Sequence, residues 1–301
     1  MHNLALLVLC FALGIALRRT GRLPQEAPAA LNAVIINIAL PALALAHIHG
    51  IAITPALAHA VMASWLMFGF AAAFFCVAAR MWGLGRETTG ALILTAGLAN
   101  TSFVGLPMIE AFFGRHGMGL GLVIDQLGSY LILATFGILV ASVFSGTVFE
   151  PRRVARKILT FPPLWAIAVA LVLRPFDYPQ WLDTLLHRLG DLVAPLALLS
   201  VGCQLRLGAI SGNAAKLGLG LAFKLVIAPL VLAALLVGLL EAEGETVRIT
   251  LFETAMPPMI GAAIVAMEHR LDPPLITLMV GIGIPLSFLT LPVWHAVLAR
   301  I

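Results

Sequence analysis

The stretch "LANTSFVGLPMIEAFFG", residues 98–114, interrupts a run that is otherwise apolar enough to be buried in lipid. "TGALILTAG" precedes it and "MIEAFFG" resumes the apolar pattern, yet Asn100, Thr101, Ser102, Gly105 and Pro107 lie between them. Proline removes a helical hydrogen bond and its ring clashes with the preceding turn. In hydrocarbon the backbone groups so freed must find protein partners or line a polar cavity. Either the segment is not a membrane span, or the chain accepts a broken helix there for a purpose. The remainder of the sequence decides between these.

The chain has 301 residues, 61% of them hydrophobic and only 11% charged, with a mean hydropathy of +1.05. A soluble domain carries about 25% charged residues, so this composition is that of a polytopic membrane protein. Cys10, Cys76 and Cys203 all fall in apolar stretches with no metal-ligand spacing, which argues against a disulfide framework and a metal site. The net charge of +4 is not an affinity for nucleic acid; its distribution is the useful part. At the N-terminus the basic residues Arg18, Arg19 and Arg22 follow the apolar core, the reverse of a cleaved signal, so the segment reads as a retained first span.

Apolar runs between charged or Pro/Gly-rich breaks predict ten spans, at about 3–17, 31–50, 56–80, 88–113, 118–146, 160–175, 185–205, 215–240, 247–268 and 275–299. With the N-terminus outside, the inner loops hold 12 of the 18 basic residues, among them Arg80, Arg86, Arg206 and Arg270, and the outer side holds five. The positive-inside rule therefore supports ten spans with both termini outside. The cluster Arg152–Lys157 reads as an orienting inner loop.

The halves resemble each other. "NIALPALAL" (37–45) matches "DLVAPLALL" (191–199), setting Asn37 opposite Asp191 and Pro41 opposite Pro195. "TSFVGLPMI" (101–109) can be laid on "PPMIGAAIV" (257–265), setting Gly105 opposite Gly261. Five spans per half is an odd number, so the repeats are expected to be inverted, as in many secondary transporters. The predicted fold is an all-α integral membrane protein of two inverted five-helix repeats, 1–146 and 160–301, joined by a short basic cytoplasmic loop at 147–159. Spans 4 and 9 are its broken crossing helices, the latter interrupted by Pro257 and Pro258. Half-helix N-termini at such a crossing present free N–H groups and a partial positive charge, for which an anion is the natural occupant. A plain proline kink is the competing reading, weakened by the recurrence at matching positions.

Ionisable residues inside spans are functional candidates by default. Asp125 and Gln126 fall in span 5, Asp191 in span 7, Lys224 in span 8 and Glu253 in span 9. Lys224 and Asp125 lie well inside, whereas Asp191 and Glu253 lie near span ends and could snorkel or sit in a vestibule. Either buried charge could carry a coupling proton, or the two could neutralise each other. Gly117, Gly119 and Gly121 lack the preceding strand of a phosphate loop and are read as close helix packing. His47 and His49 are read as wet histidines at a span end rather than metal ligands.

Six segments in order, "LNAVIINIALPALAL" (31–45), "ANTSFVGLPMIEAFFG" (99–114), "VIDQLGSYLI" (123–132), "APLALLSVGCQL" (194–205), "KLVIAPL" (224–230) and "ETAMPPMIGAAIVA" (253–266), resemble the auxin efflux carrier family, in particular its bacterial members. The resemblance covers nearly the whole chain. It implies a fold similar to bile-acid symporters and sodium/proton antiporters, with a scaffold of spans 1, 2, 6 and 7 and a transport body of spans 3–5 and 8–10. It implies a substrate beside the crossover of spans 4 and 9. Asn100, Thr101 and Pro107 match the family's Asn-Thr…Gly-Leu-Pro element and Pro257 its Met-Pro element, while Pro258 departs from the small polar residue of many relatives. The plant-type long loop is absent, so auxin as the physiological substrate is not implied; bacterial relatives are mostly associated with small organic acids such as malonate or malate, which makes such carboxylates, with auxin-like acids beside them, the implied cargo class.

The expected substrate contacts are thus Asn100, Thr101, Ser102, Gly105, Pro107, Pro257, Pro258, Gly261, Asn37 and Gln126, and the coupling or charge-balancing candidates are Asp125, Asp191, Lys224 and Glu253. The alternative is a sodium- or proton-coupled carrier of the symporter or antiporter type. An antiporter would place adjacent carboxylates at the crossover, where Asn100 and Pro257/Pro258 stand instead. No nucleophile–base pair or zinc motif points to an enzyme, and no cofactor is expected. The expected partners are the anion, the bilayer and a second copy in a homodimer, with no nucleic acid. The expected setting is a bacterial inner membrane with periplasmic termini.

Overall fold

The computed structural model describes residues 2–51, 54–205 and 212–301. Arg206, counted above with the inner loops, lies outside them. Among the described residues the regular structure is all helical, with no β-strand beyond one isolated bridge. In chain order the helices are α1 (His2–Arg19), α2 (Ala27–Ile48), α3 (Pro55–Trp82), α4 (Arg86–Gly97), α5 (Thr101–Phe113), α6 (Arg115–Ser145), α7 (Pro151–Leu159) and α8 (Pro162–Val172). They continue with α9 (Gln180–Gln204), α10 (Ala214–Leu239), α11 (Glu245–Thr254), α12 (Ile260–Glu268) and α13 (Pro273–Leu298). Among the described residues six helices, α2, α3, α6, α9, α10 and α13, are long and apolar enough to cross a membrane, and α5 and α8 are shorter apolar helices.

The segments 88–113 and 247–268 are each broken, as their prolines lead one to expect, into two helices, α4 with α5 and α11 with α12, separated by non-helical backbone. One expectation changes. The stretch 147–159 is not a plain loop, because residues Pro151–Leu159 form the short helix α7. Proline at its first position costs no hydrogen bond, and the periodicity buries Val154 while Arg152, Arg156 and Lys157 stay outside or at the edge.

The chain divides into two compact units. Unit 1 comprises Met1–Ile53, Ser102–Leu122 and Ile158–Leu205; unit 2 comprises Thr54–Thr101, Val123–Lys157 and Arg206–Ile301. In unit 1, α1 lies against α9 with only glycine between the backbones. A Cβ on Gly14 would stand 2.3 Å from the Leu199 carbonyl oxygen, and one on Gly202 would stand 2.2 Å from that of Phe11. Small residues that let helix backbones touch replace the hydrophobic driving force that lipid removes. The Cys203 thiol donates to the Gly14 carbonyl at 3.3 Å across this contact. Gly119 packs in the same manner against the His47 carbonyl, which supports the packing reading of that glycine.

In unit 2, α3 supplies one long buried face, Ala60, Ala63, Met67, Ala71 and Phe75, and leaves Met62, Leu66 and Val77 exposed as a lipid-suited face. Its C-terminus turns off at Gly83, whose φ of +65° favours a residue without a side chain. Phe70, Phe74, Phe75 and Phe223 form one aromatic cluster, with centroids of neighbouring rings 4.8–6.1 Å apart. Offset and edge-on rings at such distances add to plain burial.

The Gly14–Gly202 contact gives a direct test. Gly202→Ala is expected to lower thermal stability of the purified protein by the equivalent of about 1–3 kcal/mol, since the clash is with backbone and cannot be relieved by a rotamer. Gly218→Ala, where a Cβ would meet open space, is expected to melt with the wild type or slightly above it. Equal melting of the two variants would contradict the close packing.

Candidate functional site

Where α4 stops, residues 98–100 run extended, and where α11 stops, residues 255–259 leave helix before α12 begins. The two breaks satisfy each other. The Asn100 N–H donates to the Pro257 carbonyl at 2.9 Å, the Met259 N–H donates to the Leu98 carbonyl at 3.1 Å, and Ala99 and Pro258 form an antiparallel bridge. This is a minimal two-bond sheet inside an all-helical unit, and it discharges the backbone groups that two broken helices expose. Leu98, Ala99, Asn100, Thr101, Met256 and Met259 are all buried. Gly283 of α13 makes room for the second proline, since a Cβ there would come within 2.8 Å of the Pro258 ring. The pair Pro257–Pro258 bars helix at this point, because proline donates no N–H and pushes the preceding residue away from helical backbone.

Beside the break lies a cluster of buried polar groups, all within unit 2. Asp125 is wholly buried; its Oδ1 accepts from the Thr101 hydroxyl at 2.5 Å and its Oδ2 from the Gln126 amide at 2.6 Å. Lys224 is wholly buried, and its Nζ donates to the Thr254 carbonyl at 2.9 Å and to the Met67 thioether at 3.6 Å. Thr254 is the last residue of α11, so the ammonium sits on the negative end of a half-helix, where a cation is most favourable. Glu253, one residue earlier, is 1% exposed, and neither carboxyl oxygen has a hydrogen-bond partner. It lies in the fields of Asp125 and Lys224. The sequence reading that Glu253 could snorkel is corrected: the break brings the end of α11 into the interior, so a residue that counts as near a span end is buried beside the crossing.

The side chains of Asp125, Gln126 and Lys224 are presented by widened π-turns, at residues Ile124–Tyr130 and Phe223–Ile227. A further regularity accompanies these turns. Pro41, Pro107 and Pro229 each stand two residues beyond a π-turn, at Ile35–Ala39, Thr101–Gly105 and Phe223–Ile227. The residue four before each proline, whose carbonyl the ring would strike in a regular helix, is the middle of that turn. Before Pro229, the Ala228 N–H reaches back five residues to Phe223, and the Leu225 carbonyl accepts from the Trp294 indole at 2.8 Å. The prolines are thus absorbed as local widenings, a known alternative to a sharp kink.

Of the predicted site residues, Asn100, Thr101, Pro257, Pro258, Gly261, Asp125, Gln126, Lys224 and Glu253 belong to unit 2, and the others belong to unit 1. Ser102 is half-buried in the first turn of α5, and Gly105 and Pro107 are buried in it. Gly105 stands four residues into α5 whereas Gly261 stands one residue into α12, so the two are not equivalent positions in their helices. Asn37 is exposed and its amide donates to the Ala33 carbonyl of its own helix at 2.8 Å. Asp191 is half-exposed and pairs with the Arg115 guanidinium at 2.9 Å, and Arg115 also meets Glu110 at 3.4 Å. Asp191 is therefore a charge-balanced residue of unit 1. Sequence reading missed the Thr254 carbonyl and Met67 as partners of Lys224. Its available signal was "KLVIAPL", a lysine five residues ahead of a proline, the spacing that produces the widened turn.

Loss of the lysine should be costly. Lys224→Met is expected to destabilise the purified protein by about 3–5 kcal/mol, because it strips a buried charge from its partners. Lys216→Met, at a half-exposed site 3.7 Å from Asp272, is expected to cost at most about 1 kcal/mol. Comparable thermal shifts in the two variants would contradict the buried role of Lys224.

Comparison with known proteins identifies the family. The family model described as "Membrane transport protein" matches residues 1–295. A protein of Methanothermobacter thermautotrophicus, described as an uncharacterized transporter, is 30% identical over 98% of this chain and 97% of its own length. A second uncharacterized transporter, from Methanocaldococcus jannaschii, is 25% identical over 71% of this chain and 70% of its own. With the match running through almost every residue, the chain belongs to the membrane transport protein family, of the auxin efflux carrier type.

Proposed function

We propose that this protein is a secondary transporter of small organic anions, malonate- or malate-like carboxylates or auxin-like acids, that works by alternating access. The observation that carries the reading is the paired break at 98–100 and 257–259, buried in unit 2 and followed on each side by a new helix N-terminus. Helix N-termini are suited to a carboxylate without a dedicated cationic side chain, and interrupted helices near the midplane are where secondary carriers hold substrate. Asn100, Thr101, Gln126, Pro257, Pro258 and Gly261 are the substrate contacts of this reading.

The same reading takes the chain as ten spans in two inverted repeats, with spans 3–5 and 8–10 as the elevator-like transport body and spans 1, 2, 6 and 7 as its scaffold. Membership of a transport family and the apolar helices support an integral membrane protein. The excess of basic residues on one set of loops favours both termini outside, and the arginine- and alanine-rich composition without a plant-type loop favours a bacterial inner membrane.

Counterflow of labelled dicarboxylates and monocarboxylates into proteoliposomes tests the reading. Saturable exchange is expected with at least one short carboxylate. Asn100→Ala should reduce it about tenfold or more, the worth of one hydrogen bond to a charged group. Arg174→Ala, in an exposed turn, should exchange like the wild type. Absence of exchange with every anion by a folded protein would overturn the proposal, as would equal loss in both variants.

A further inference from the structure

We propose that Glu253 is a proton-carrying site, protonated in the state described here, and that its proton is exchanged with water during transport, so that the anion moves with a proton. The inference rests on the carrier reading above for its second half, but not for its first. It is drawn from the hydrogen-bond inventory of the buried cluster. Asp125 receives two donors, one on each oxygen, as an ionised carboxylate does. Lys224 finds a carbonyl at the negative end of α11, as an ammonium does. Glu253 receives no donor on either oxygen and is 1% exposed. An ionised carboxylate without donors in such a place is the most expensive state available to the group, and the neutral acid is the affordable one.

Charge counting gives the same answer. One buried lysine offsets one of two buried carboxylates, and a single proton on the other makes the cluster neutral. Of the helices packed against α11, α3 brings Met67 and holds His59 and Arg80 toward its ends. The α10 helix brings Lys224, and α13 brings His295, whose ring rests on Phe252. On α11 itself Glu245 and Arg248 lie at least one turn earlier. Gln126, whose Oε1 also lacks a partner at 1% exposure, is a further polar atom of the cluster left for a ligand or water.

The step is a simple one. The Glu253 O–H bond breaks, the proton passes to water once the site opens, and the carboxylate left behind carries the net negative charge of the cluster. A second negative charge nearby, the transported anion, disfavours that release. By linkage the proton and the anion each favour the other's binding. Anion and proton therefore travel in the same direction.

Infrared difference spectroscopy of the purified protein in lipid, with H/D exchange, reads the protonation state independently of any substrate. A carbonyl stretch of a protonated carboxylic acid is expected in the wild type and absent in Glu253→Gln. Because the amide is an uncharged isostere of the acid, Glu253→Gln should fold and melt close to the wild type. In proteoliposomes, a gradient of about one pH unit should drive roughly tenfold accumulation of an exchanging anion by the wild type. Glu253→Gln should exchange the anion and show no such accumulation. Three results overturn the proposal: no acid band in the wild type, a band that survives Glu253→Gln, or gradient-driven accumulation by Glu253→Gln. Absence of any anion exchange in the wild type would instead overturn the carrier reading and the coupling with it, while the infrared band still decides whether Glu253 is protonated.

Discussion

A backbone amide surrounded by apolar side chains has no water to turn to, and residues 98–100 and 257–259 meet that constraint through each other. Two hydrogen bonds, Asn100 N–H to Pro257 and Met259 N–H to Leu98, turn a pair of helix breaks into one closed element. Each break alone would strand several polar groups. Their pairing explains why the non-helical segments lie buried, and why Gly283 must be small where the Pro258 ring packs. It also explains why the cluster Asp125–Thr101–Gln126 gathers here: Thr101 opens the helix after one break and spends its hydroxyl on Asp125.

The charges follow from the same geometry. A helix that ends in the interior presents carbonyls there, and Lys224 answers those of α11 at Thr254. A lysine so placed is held by the negative end of the half-helix, and Glu253 beside it has no donor on either oxygen. The π-turns that carry Asp125, Gln126 and Lys224 alter the direction in which those side chains leave their helices. Three proline-associated turns of this kind show that prolines in these helices serve to widen a turn as much as to bend a rod.

Much of this was legible in the sequence. Composition gives the membrane class, and the prolines with their polar neighbours give both breaks, because the reasons for each are local. Asn100, Thr101 and Pro257 are readable from the same signal. What the sequence does not give is depth and register. Glu253 reads as a residue near a span end, since hydropathy counts residues along the chain and does not see that a broken span brings an end inward. Asn37 aligns with Asp191 on repeat similarity, yet one bonds its own helix and the other pairs with Arg115. Apolar helices align readily, and a polar residue's partner is a matter of three-dimensional neighbours. The basic segment 151–159 reads as a loop because charge outweighs its short apolar stripe, and it folds as a helix.

The claim on which the account turns is that the paired break lies on the path between the two aqueous sides. Ala99 tests it most directly, being buried within the bridge and held there by backbone bonds that a side-chain change leaves in place. In a chain whose Cys10, Cys76 and Cys203 are replaced by serine, the single substitution Ala99→Cys is exposed to a membrane-impermeant thiol reagent added to one side of the membrane and then, separately, to the other. Modification from both sides and protection by the exchanging anion are expected. A thiol that reacts from neither side, in a protein that still exchanges the anion, would contradict that claim.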